Sequence, residues 1–219
     1  MKIALIGYGK MGRTIERFAL ERGHQIALRI DKDNTDDLQS EAFRRADVAI
    51  EFTGPETAFD NVKACFDAQI PVVSGSTGWQ NRLEEARKIC IDTGGALLYS
   101  SNFSVGVNIL FAINSKLAAI MRHFGDYEAS ITEIHHIHKQ DAPSGTAISL
   151  AEGLIDNIGR KTRWKLNHQD APEDLNITAI RENEVPGTHT VTYESSVDLI
   201  ELTHLAKNRD GFALGAVIA

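Results

Sequence analysis

Over the first hundred residues, short apolar runs alternate with amphipathic stretches. Residues 2–6 read as a buried strand, 10–22 as a helix, and 25–31 as a second strand. Residues 47–53 read as a third strand, followed by a helix over 57–68 with Pro55 near its start. A fourth strand (70–74), a helix (81–93) and a fifth strand (96–99) complete the series. Apolar runs too short for helices, separated by stretches of helical period, predict a parallel sheet with helices on both faces. The charged segment 31–40 reads as a solvated loop.

After Tyr99 the rhythm changes. Residues 105–122 predict one long helix, and 127–138 a long strand of roughly alternating polar and apolar positions. A helix over 146–158 has Ser144 as N-cap and Gly159 as its stop. Residues 177–182, 188–194 and 197–206 are rich in β-branched side chains, with a turn at Pro186-Gly187 between the first two. The expectation is an α/β chain: a Rossmann-type N-terminal domain, then an α+β domain with a mostly antiparallel sheet. The expected boundaries are 1–103 and 104–206, with 207–219 returning to the first domain.

Composition narrows the function classes. The chain of 219 residues has 42% hydrophobic and 24% charged residues, as globular proteins do. Its net charge of −7 (23 basic, 30 acidic) argues against nucleic acid or anionic membrane as partner. Cys65 and Cys90, without a CxxC pattern, read as core residues of a reducing compartment. The stretch Gly94–Ser115 lacks Lys, Arg, Asp and Glu, but its asparagines make it a poor membrane span. With no signal-peptide pattern at the N-terminus, a cytoplasmic protein is expected.

The first strand runs into Gly7-Tyr8-Gly9-Lys10-Met11-Gly12, a GxGxxG that opens a helix. The first glycine permits the turn, the second lets a pyrophosphate approach, and the third lets helix and strand pack closely. Asp31, 19 residues after Gly12, ends the second strand, where a carboxylate accepts from ribose hydroxyls. That favours NADH, whereas the adjacent Lys32 can pair with the 2′-phosphate of NADPH or simply be solvated; use of NADH, NADPH or both stays open. Gly75-Ser76-Thr77-Gly78 and the Ser100-Ser101-Asn102-Phe103 segment follow the fourth and fifth strands, at the carboxyl ends where ligands of such sheets gather. A plain strand-to-helix turn is the alternative there.

The densest chemistry lies in residues 133–147, where three histidines, a lysine and an aspartate precede a Pro-Ser-Gly-Thr turn. His135 or His136 can exchange protons near neutral pH. Lys139 can pair with a carboxylate or supply a proton. The N–H groups of Gly145 and Thr146, at a helix start, can hold a carboxylate. In one continuous strand His136 and His138 share a face, as a zinc pair would. With no HExxH and no cysteine nearby, no metal is expected. A small dicarboxylate substrate is expected instead. Another dehydrogenase of the same two-domain plan would not need paired histidines before PSGT, and a dinucleotide-sensing regulator would carry a basic patch.

The pattern HHxxKxDxPSGTA over 135–147 resembles the dihydrodipicolinate reductase (4-hydroxy-tetrahydrodipicolinate reductase) family. The resemblance extends to the glycine loop, Gly75–Gly78, the run 102–108, Arg181, Gly187, His189, Thr203-His204 and Phe212. It implies NAD(P)H-dependent reduction of 4-hydroxy-tetrahydrodipicolinate to tetrahydrodipicolinate in diaminopimelate and lysine biosynthesis. His135 would be the general acid/base and Lys139 the proton donor, with His136, Gly145 and Thr146 on the substrate carboxylates. Gly7, Tyr8, Gly9, Lys10, Met11, Asp31, Gly75, Ser76, Thr77, Ser100, Ser101, Asn102 and Phe103 would line the cofactor. It also implies a homotetramer built through the second-domain sheet. Two departures stand out: the glycine loop is one residue shorter than in many members, and the chain stops where the family continues through a C-terminal helix.

Overall fold

A computed structural model describes residues 1–208 and 210–219 of the chain. Two compact units emerge, Met1–Ser104 with Asp210–Ala219, and Val105–Arg209, whose last residue lies outside the described set.

In the first unit β1 (Lys2–Ile6), β2 (Gln25–Ile30), β3 (Val48–Glu51), β4 (Val72–Ser74) and β5 (Leu97–Tyr99) form a sheet of order β2-β1-β3-β4-β5. Every pairing is parallel. The helices are α1 (Lys10–Glu21), α2 (Glu41–Arg44), α3 (Ala58–Asp67), α4 (Leu83–Thr93) and, from the chain end, α7 (Asp210–Ile218). Alternation along β1 splits the core in two. Ala4 and Ile6 pack with Ala58, Val62 and Phe66 of α3, while Ile3 and Leu5 pack with Ile15 and Ala19 of α1 and Ala213 and Ala216 of α7. A strand buried on both faces needs the unbroken apolar run that β1 has.

Two local expectations change here. The charged segment after β2 contains a 3₁₀ turn, Thr35–Gln39, in which Asn34 bonds Asp37 Oδ2 at 2.7 Å and the Arg29 carbonyl at 2.9 Å. Residues 210–218, expected only to return to the first domain, form the helix α7 there.

The second unit contains α5 (Val105–Met121), β6 (Glu128–His135), α6 (Gly145–Ile158), β7 (Arg163–Leu166), β8 (Asp174–Arg181), β9 (Thr188–Glu194) and β10 (Leu199–Leu205). Its sheet order is β10-β9-β6-β8-β7. The antiparallel pairing expected for most of the sheet holds for β6, β9 and β10, whereas β8 joins β6 in parallel and β7 joins β8 in parallel. The crossover through α6 brings the chain back to the same end of the sheet, which imposes the parallel direction. One sheet face is apolar: Ala129, Ile131, Leu175, Ile177, Val191 and Tyr193 pack with Leu150 and Leu154 of α6 and Leu110 of α5. β6 is shorter than expected. Its alternation ends at His135, so His136 to Asp141 lie in a loop.

The turn after β1 is the tightest point of the first unit. Gly7 has φ +95°, and a Cβ there would stand 2.1 Å from the Phe52 carbonyl oxygen. A Cβ on Gly12 would stand 2.1 Å from the Gly7 oxygen, whereas one on Gly9 would meet nothing within 4 Å. Gly12→Ala is therefore expected to destabilise this unit by about 3 kcal/mol, since backbone cannot yield as a side chain can. Gly9→Ala should cost under about 1 kcal/mol. Urea denaturation of both variants checks the contrast.

Candidate functional site

In the first unit the strand order reverses between β1 and β3, opening a crevice at their carboxyl ends. A cavity of about 270 Å³ lies in this unit, and its lining includes Met11, Gly75, Ser76, Thr77, Ser101 and Phe103. Phe52, Thr53 and Phe212 complete the wall. Gly7, Tyr8, Gly9, Lys10, Gly12, Asp31, Lys32, Ser100 and Asn102 are not part of this lining. Gly9 precedes α1, and its N-terminal amides follow directly. The Ser100 hydroxyl bonds the Asn102 carbonyl at 2.8 Å, tying down that turn.

Tyr8 turns to the buried Glu16, which also accepts from Arg29 Nε at 3.0 Å. The Arg29 bond holds the Glu16 carboxyl below its ordinary pKa, against the opposing effect of burial. Arg13 lies 5.1 Å from the Tyr8 ring centroid and was not singled out in the sequence. Asp31 and Lys32 are exposed beyond β2, and the Lys32 amide donates to Asp31 Oδ1 at 3.0 Å.

Glu51 is the residue that sequence reasoning missed here. It ends β3 and is fully buried. Its carboxylate accepts from the Thr53 amide (2.9 Å), Ser74 Oγ (2.6 Å) and Ser76 Oγ (2.8 Å). The loops after β3 and β4 are thereby drawn together around one charge. A charged residue closing an otherwise apolar strand was the available signal.

The residues present fit a dinucleotide. Gly7 and Gly12 are required by the protein's own packing, but Gly9 is not. It has an ordinary φ of −78° and open space where a Cβ would be. A glycine that the protein does not need, at a helix start, suits close approach by a phosphate.

In the second unit, β6 changes character at its carboxyl end. Alternate positions share a face, so Ala129, Ile131, Glu133 and His135 all point inward. Register adds the neighbours: His189 of β9 is opposite Glu133, and Arg181 of β8 is opposite His135. The Glu133 carboxylate accepts from the Ser144 amide at 3.0 and 3.1 Å and from Arg181 at 3.0 Å. It lies 3.7 Å from His135 Nε2 and 3.8 Å from His189 Nε2. The two Nε2 atoms are 3.3 Å apart, and His189 Nε2 is 3.1 Å from Ser144 Oγ. Ser144 caps α6 by accepting from the Ala147 amide at 3.2 Å, as its position in the sequence predicted.

Lys139 is half-buried and grips Asp141 at 2.7 and 2.8 Å; Arg181 also bonds the Asp141 carbonyl at 2.6 Å. His136 does not continue the strand. It starts the loop, and its buried Nδ1 makes no hydrogen bond among the described residues. His138 is exposed and reaches Glu184 at 3.3 Å. Gly145 and Thr146 form the first turn of α6.

Burial depresses the pKa of His135, opposed by Glu133 and reinforced by Lys139 and Arg181. Burial, with help from the His135 charge, takes His189 down to about 4. Burial alone would raise Glu133, but Ser144 and Arg181 outweigh it and hold the carboxyl below its ordinary range. Glu133, His135 and His189 have donor atoms within 4.8 Å of one another. Their geometry would accept a metal, but the carboxylate is already taken up by Ser144 and Arg181.

Residues 1–103 match the family described as "Dihydrodipicolinate reductase, N-terminus", and 106–219 match "Dihydrodipicolinate reductase, C-terminus". The chain belongs to the dihydrodipicolinate reductase family. A 4-hydroxy-tetrahydrodipicolinate reductase from Christiangramia forsetii is 50% identical over 221 residues, spanning 100% of this chain and 90% of that protein. One from Staphylococcus aureus is 34% identical over 233 residues, spanning 100% and 93%. Among solved structures, dipicolinate-bound dihydrodipicolinate reductase from Paenisporosarcina sp. TG-14 shares the fold. Its TM-score is 0.78 at 22% identity, over 100% of this chain and 92% of that one. Membership in the dihydrodipicolinate reductase family accounts for a Rossmann-like unit followed by a mixed-sheet α+β unit. Among the described residues no helix is long and apolar enough to cross a membrane.

The depressed His189 sets a pH dependence. Its pKa is about 4 folded against 6.5 unfolded, so between these values the unfolded chain binds more protons. The stabilisation is fully present above pH 6.5 and is lost as pH falls toward 4, by up to about 3 kcal/mol. Urea midpoints for the wild type should fall over that window, and those of His189→Gln should fall less.

Proposed function

We propose that this protein reduces 4-hydroxy-tetrahydrodipicolinate to tetrahydrodipicolinate with NADH or NADPH, in the diaminopimelate route to lysine. The observation that carries the reading is the gathering of His135, His189, Arg181 and the α6 start around the buried Glu133 carboxylate, in a chain of this family. Domain roles follow: dinucleotide binding by the first unit, substrate binding by the second.

When bound, the dinucleotide supplies the hydride that reduces the ring. The chain's own residues hold the substrate and manage protons. The Gly145 and Thr146 amides, at the positive end of α6, hold one carboxylate. His136, whose Nδ1 has no partner among the described residues, serves the other. Fixing both carboxylates removes rotational freedom that the reaction would otherwise have to lose at the barrier. His135 exchanges a proton as the C4 hydroxyl leaves as water. Lys139 Nζ, oriented by Asp141, delivers a proton to the reduced ring. In the first unit, Gly9 admits the pyrophosphate and Asp31 accepts from ribose hydroxyls. Gly75, Ser76, Thr77, Ser101 and Phe103 shape the cavity beside it. The exposed Lys32 beside Asp31 leaves NADPH usable as well. A homotetramer through the uncovered sheet face of the second unit, which includes Thr132, Thr178 and Ile180, completes the proposal; native mass spectrometry tests it.

The deciding experiment generates 4-hydroxy-tetrahydrodipicolinate in situ and follows oxidation of NADH and of NADPH. Turnover with either supports the reading, and none with both overturns it. His135→Gln should lower kcat by about 10²-fold with KM little changed, the mark of assistance confined to the transition state. Lys139→Ala should lower kcat and raise KM together. Gly9→Ala should weaken dinucleotide binding about tenfold by calorimetry while leaving the fold intact. Unchanged affinity would remove Gly9 from the cofactor site.

A further inference from the structure

His135 does not stand alone. Its Nε2 faces His189 Nε2 at 3.3 Å, inside a cluster where His135 is 8% and His189 4% exposed. Hydrogen positions follow from the partners. The Pro186 backbone approaches the other side of the His135 ring and favours its protonated form. Gly187 gives the room for it: a Cβ there would stand 2.9 Å from Cε1 and 3.3 Å from Nδ1. Neutral His135 therefore carries its proton on Nδ1 and presents a lone pair at Nε2. His189 Nδ1 is buried and makes no hydrogen bond among the described residues. An unpaired acceptor is tolerated better than an unpaired N–H, so the His189 proton sits on Nε2. That proton has two acceptors in reach, His135 Nε2 at 3.3 Å and Ser144 Oγ at 3.1 Å.

We infer that His189 and Glu133 are positioning residues for the proton chemistry of His135. His189 gives its Nε2–H to His135 while that ring is neutral, and to Ser144 Oγ once His135 takes a proton on Nε2. The Glu133 carboxylate is the fixed counter-charge in both states. No bond to carbon changes in this step: one proton enters His135, and one hydrogen bond moves from His135 to Ser144. Because Ser144 also caps α6, the protonation state of the base is felt at the helix start proposed to hold the substrate carboxylate. The inference rests on the reading of His135 as acid/base. The charged and titratable groups facing this cluster are Glu133 from β6, Lys139 from the following loop, Arg181 from β8 and His204 from β10.

The test is an NMR titration of the His135 imidazole, run beside kcat and KM against pH, for wild type, His189→Gln and Glu133→Gln. In the wild type the two rings should titrate as a linked pair. In His189→Gln, His135 should titrate as a single independent group, with kcat down about tenfold and KM within twofold. Glu133→Gln, lacking the counter-charge, should lower the His135 midpoint by about one pH unit. A His135 titration in His189→Gln that superimposes on the wild type overturns the inference, and this arm decides alone if Glu133→Gln does not fold. His135→Gln separates the two layers. If it is impaired while His189→Gln matches the wild type in kcat and titration, the inference falls and the underlying reading stands. If His135→Gln turns over normally, both fall.

Discussion

A carboxylate buried at the end of a strand must be satisfied, and the way it is satisfied shapes the candidate site in both units of this protein. Taking such a charge out of water costs several kcal/mol unless hydrogen bonds and counter-charge replace the lost hydration. Glu51 ends β3 and collects the Thr53 amide and the Ser74 and Ser76 hydroxyls. Glu133 lies near the end of β6 and collects the Ser144 amide and Arg181. In each case at least one donor belongs to a turn that bears proposed ligand contacts. Remove the charge and the turn loses what fixes it. The two units thus arrive at one device on unrelated sheets.

Much of this was legible in the sequence. The parallel sheet showed itself because each strand, buried on both faces, is a short apolar run with its helix beside it. Ser144 and Gly159 marked the ends of α6 because cap chemistry is local. What stayed hidden was non-local. β7, with two basic residues among its four, has no counterpart among the elements that the pattern predicts, and forms only beside its neighbour β8. β6 is shorter than its pattern predicts because Ile137 keeps the alternation going after the chain has left the sheet. Strand direction in the second sheet depends on where the α6 crossover returns, which no local pattern records.

The candidate site divides in the same way. Residues 135–147 are contiguous, so their chemistry could be read directly. Glu133 was close by but looked like one more polar position in an alternating strand. His189 and Arg181 join the cluster only through register, across strands more than forty residues apart in sequence. Register follows from sheet packing as a whole and has no local signature. Glu51 is hidden for a related reason: its partners come from loops after two different strands.

Ser144 shows what this economy costs. One residue donates its amide to Glu133, caps α6 with its hydroxyl, and lies within reach of His189. Nothing at this position can be altered for one purpose alone. Selection or an engineer seeking a different substrate must leave this junction fixed and find variation elsewhere. The exposed loop positions Ile137, His138 and Gln140 are less constrained. Divergence in specificity is therefore channelled to the periphery, while the hub where three obligations meet stays frozen.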